Sequence, residues 1–65
     1  MANNEPNYKV LATTTIKGET IQLREYKNHW SVAHIDIHGN VEEQIRDNYH
    51  SAEMVYIYAQ IYKAC

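Results

Sequence analysis

The chain has 65 residues, 45% of them hydrophobic, and a net charge of −2. Such a length gives one domain near the lower limit for a self-sufficient core. The composition is too apolar for global disorder and too weakly charged for nucleic-acid binding driven by phosphate neutralisation. The single cysteine, Cys65, excludes an intrachain disulfide and suits a reducing cytoplasm. No apolar run is long enough to span a membrane.

Residues 1–7 carry no basic or apolar stretch of the kind a signal peptide needs, and are expected to form a flexible lead before a domain at 8–65. Residues 8–16 are rich in Val and Thr and read as a first strand. Lys17-Gly18 is a tight turn, with Gly suited to positive φ. Residues 19–26 read as a second strand, followed by a turn at Lys27-Asn28-His29. A third strand at 30–37, a turn at His38-Gly39-Asn40 and a weaker fourth strand at 41–47 come next.

Residues 51–65 show the one helical pattern. Ser51 is a good N-cap, Glu53 suits the first turn and Lys63 the last. Met54, Val55, Tyr58, Ala59, Ile61 and Tyr62 form a broad apolar face, with Tyr56 and Ile57 on its flanks. That arc is wider than packing on one small sheet requires. A flank at Tyr56 or Ile57 is therefore a candidate contact with a second chain, as in a homodimer.

The predicted fold is α+β: a four-stranded antiparallel meander with the helix across one face. A two-residue loop at Lys17-Gly18 and three-residue loops at the other turns gather the aliphatics on one side. Val10, Ala12, Ile16, Ile21, Leu23, Ala33, Ile35, Ile37, Val41 and Ile45 then lie beneath the helix. A two-residue loop at Lys27-Asn28 instead sets Ile21 and Leu23 on the face opposite Ala33 and Ile35. The first arrangement predicts Leu23, Ile35 and Ile45 buried with Val55 and Tyr58. It leaves Tyr26 and Trp30 facing each other on an open sheet, with Arg24, Val32 and His34 around them. Large aromatic rings and Arg are common anchors at interfaces. The expected partner-binding set is thus Arg24, Tyr26, Trp30, Val32 and His34, with Tyr56 on the helix flank.

Catalytic chemistry has little to stand on. His34-x-Asp36-x-His38 places two imidazoles and a carboxylate on one strand face, successive ones about 7 Å apart, yet an open face offers no enclosure and no fourth donor. No spacing among the four histidines selects an acid–base pair. No catalytic residue, metal or cofactor is expected.

Two resemblances extend this reading. Trp30-Ser-Val-Ala-His-Ile-Asp-Ile-His-Gly39, then a strand and Ser51-Ala52-Glu53 opening a Tyr-rich helix, resembles the arm-binding domains of phage integrases. It departs from them in a fourth strand reading Val-Glu-Glu-Gln-Ile-Arg-Asp. In size and plan the whole chain is similar to anti-CRISPR proteins. That likeness implies a small non-enzymatic inhibitor, encoded by a phage or mobile element, that blocks a CRISPR effector complex in the host cytoplasm. A DNA-binding accessory module is the alternative.

Overall fold

A computed structural model describes residues 7–65. All but the last residue of the expected lead lies outside that range. The described chain forms β1 (Lys9–Ile16), β2 (Glu19–Glu25), β3 (Trp30–Ile35), β4 (Val41–Arg46) and α1 (Tyr49–Ala64). The strands pair antiparallel in sequence order, and α1 crosses one face of the sheet.

The first hairpin closes through Lys17 and Gly18, both at positive φ (54° and 81°). Such a turn matches the right-handed twist of its strands. Thr14 pairs with Ile21 and Ala12 with Leu23, as expected. A bulge then leaves Leu11 unpaired and matches Val10 with Arg24, so Val10 lies on the face away from the helix.

The second hairpin overturns the expected register. The Tyr26 N–H donates to His29 O at 2.8 Å, closing a two-residue loop at Lys27-Asn28. Leu23 now pairs with Val32 and Glu25 with Trp30. Trp30, Val32 and His34 therefore join Ile21 and Leu23 beneath the helix, while Ala33 and Ile35 lie on the opposite face. The third turn keeps the expected parity, since Ile35 pairs with Val41 and Ser31 with Ile45. Asp36 Oδ1 accepts from the backbone N–H groups of His38 (2.8 Å) and Asn40 (2.9 Å), and Gly39 takes φ 87°.

Polar groups decide between the two registers. The expected one puts Ser31 and Glu43 under the helix, where an unpaired carboxylate is costly. The observed one puts Arg24, Ser31 and Glu43 together on the open face, where they bond to one another.

The helix is capped by Asn48 rather than Ser51: Asn48 Oδ1 accepts from the Ser51 N–H at 2.8 Å. It starts two residues before the expected cap, so Glu53 falls outside the first turn. Ala52 and Tyr56 are its buried residues, and Val55 and Ala59 pack beside them on Ile21, Leu23 and Val32. The Tyr56 hydroxyl shares a 2.6 Å hydrogen bond with Thr14 Oγ1. At the far end Lys63 is paired with Glu19, and Lys17 Nζ donates to the Cys65 carbonyl at 3.0 Å.

Candidate protein-interaction surface

The expected open-face cluster does not assemble. Val32 is fully buried, and Trp30 packs against the core from the helix side. Tyr56 is 8% exposed and belongs to the core, not to a flank. His34 also lies on the helix side, opposite Glu42 of β4. Only Arg24 and Tyr26 keep their expected face.

On that face Glu43 organises a polar cluster. Its Oε2 accepts from Tyr26 Oη (2.5 Å), Ser31 Oγ (2.8 Å) and Arg24 Nη1 (3.2 Å). Burial works to raise the Glu43 pKa, but those three bonds outweigh it and hold the carboxyl below its usual range. Desolvation and the bond to Glu43 push the Tyr26 phenol up. The Arg24 guanidinium lies over the Tyr8 ring at 4.1 Å, and Tyr26 stacks on His29 with centroids 4.4 Å apart. With the Arg24 residue only 7% exposed, this is an internally satisfied network with few donors left for a ligand.

The surface with unmet contacts is the outer side of α1. Ile57 is 41% exposed, Tyr58 and Ile61 54% each, and Tyr62 82%. Their spacing of three and four residues makes one continuous stripe along the helix. Tyr58 and Tyr62, with Val55 and Ala59, also wall a groove of about 320 Å³ between the helix and β4, floored by His34 and Gln44. His34 Nε2 is buried there without a partner among the described residues.

The stripe was only half visible in the sequence. The width of the helical apolar arc signalled a second contact. The direction differs because the small Ala52, outside the expected apolar face, is one of the helix's two buried residues and lets the helix approach the sheet. Tyr58, Ile61 and Tyr62, expected inside, are turned out as a result.

The His34-x-Asp36-x-His38 motif is split by the turn. The Asp36 carboxylate is held by Asn40 and His38, and those bonds, the backbone one from Asn40 foremost, keep its pKa low. Among the described residues no three His, Cys, Asp or Glu side chains come together as a metal site. Also among them, no helix is long and apolar enough to cross a membrane. Comparison with protein-family models, curated proteins and solved structures finds no match.

Proposed function

We propose that this chain is a non-enzymatic binding protein that works by occupying the surface of a protein partner, with the outer side of α1 as its contact. The observation that carries the reading is the exposed row Ile57, Tyr58, Ile61 and Tyr62 on one helix. A helix needs only one apolar stripe to pack on a sheet, and exposed apolar patches mark contacts with other molecules. Laying such a helix into a partner's groove is a common recognition mode. The likeness to anti-CRISPR proteins supplies a working version, in which the partner is a CRISPR effector complex and the step blocked is DNA binding or nuclease recruitment in the host cytoplasm.

The charge pattern weighs against the DNA-binding alternative. The two sheet arginines, Arg24 and Arg46, lie on opposite faces, and Arg24 is tied to Glu43. No basic stripe runs along the sheet for phosphates to follow.

A plasmid-interference assay in cells carrying a CRISPR system tests the working version. Expression of the wild-type chain should restore plasmid transformation, and the Ile57→Lys/Ile61→Lys double variant should lose that effect. An equally active double variant removes the helix face from the reading. Salt-sensitive duplex binding in a gel shift, with no effect on interference, replaces it with the DNA alternative.

A further inference from the structure

The sheet has two free edges, and they are built differently. β1 is interrupted by the bulge at Leu11 and carries Lys9 near its start, both devices that discourage pairing with another chain. β4 runs Val41–Arg46 with no bulge and no proline, paired residue for residue with β3.

The backbone of β4 divides cleanly. The Asp36 N–H donates to Asn40 O at 3.0 Å, which makes Asp36–Asn40 a hydrogen-bonded pair. In an antiparallel ladder such pairs alternate. Glu42, Gln44 and Arg46 thus direct their backbone groups to β3, whereas Val41, Glu43 and Ile45 direct theirs outward. One of those outward acceptors, the Ile45 carbonyl, is occupied at 2.9 Å by Nη1 of the adjacent Arg46.

The side chains of β4 then select a partner. Glu42 and Arg46 share the helix side of the strand, and neither makes an ion pair among the described residues. An antiparallel strand that pairs outward groups with outward groups and centres on Gln44 sets each Glu42 against the other strand's Arg46. Centring on Glu43 sets that carboxylate against itself, and centring on Ile45 sets Glu43 against Asp47. Like charges directly opposite are destabilising and opposite charges favourable.

We propose that β4 pairs antiparallel with β4 of a second copy of this chain, about a two-fold axis at Gln44, through two Glu42–Arg46 ion pairs. The result is one eight-stranded sheet with both helices on the same face. Each helix sits over β2 and β3, so four strand spacings, about 19 Å, separate the helix axes. That is too far for direct helix packing, and the contact therefore rests on β4 itself. The outer helix faces stay free in such a dimer, which makes this inference independent of the proposed function.

Charge reversal tests the register. Sedimentation equilibrium over a concentration series should show the wild type approaching twice the 7.6 kDa chain mass. Glu42→Arg alone and Arg46→Glu alone should each weaken the dimer about tenfold or more, because both ion pairs become repulsions. An equimolar mixture of the two single variants should regain it, since both pairs are then restored between unlike chains. Hydrogen exchange should slow at the Glu43 and Ile45 amides as wild-type concentration rises. A wild type that stays monomeric to about millimolar concentration overturns the proposal, as does a dimer indifferent to either reversal. A mixture no stronger than its components overturns the register.

Discussion

In the sequence Glu43 is one more charge in a mixed-sign strand, and the expected register turns it toward the helix. Its position opposite Ala33 and beside Arg24 and Ser31 makes it the acceptor for three donors. No spacing reveals this, because Tyr26, Ser31 and Glu43 meet only once the second hairpin has its two-residue loop. Removing the charge leaves the nearly buried Arg24 uncompensated, and hydrogen bonds to charged groups contribute about 1.5–3 kcal/mol when well buried, less at this partly exposed site. The pH dependence follows from the direction of the shift. A carboxyl held below its usual range in the folded state adds stability above its unfolded pKa. That stability is lost as pH falls through the folded value. Glu43→Gln should therefore melt lower than wild type near neutrality, and its melting temperature should fall less steeply on acidification through the carboxylate range. Parallel slopes for the two proteins would remove Glu43 from the account of acid stability.

Whole elements were far more legible than the faces they present. All four strands, their order and the C-terminal helix follow from periodicity and turn residues, with ends shifted by one or two positions. The faces depended on one loop. Lys27-Asn28-His29 suits two or three residues equally, and the aliphatic count favoured three because Ala33, Ile35, Val41 and Ile45 outnumber Trp30 and Val32. Counting aliphatics omitted the one large indole ring and the cost of placing Ser31 and Glu43 under a helix. A pair of truncations on neighbouring strands checks the observed parity. Val32→Ala removes two methyl groups from a fully buried site and should cost about 2 kcal/mol. Ile45→Ala, at a residue 59% exposed on the other face, should stay within about 0.5 kcal/mol. Denaturant unfolding of both variants reads the difference directly, and a reversed ranking would restore the three-residue loop.

The whole molecule has only one covered sheet face, and its balance of inside and outside is unusual for that reason. Among the described residues six apolar side chains are buried while ten large ones are exposed, so the fold draws its stability from few contacts. A 65-residue domain has about 3–10 kcal/mol to lose. The helix separates two roles around its circumference. Ala52, Tyr56 and Ala59 join it to the sheet, and Ile57, Tyr58, Ile61 and Tyr62 are left exposed. Tyr56→Ala should cost about 3–5 kcal/mol, the range for a buried aromatic, and it also removes the shorter of the Thr14 hydroxyl's two hydrogen bonds. That single change should remove about a third or more of the domain's stability and lower its melting temperature sharply. Ile57→Lys/Ile61→Lys, only four residues apart on the same helix, should change stability by about 0.5 kcal/mol or less per site, since Lys has a helix propensity at least as good as Ile. Thermal melts followed by far-ultraviolet circular dichroism compare the two variants. A double lysine variant that melts as early as Tyr56→Ala would mean that the outer stripe supports the fold, and its exposure could no longer be read as a surface kept for contact.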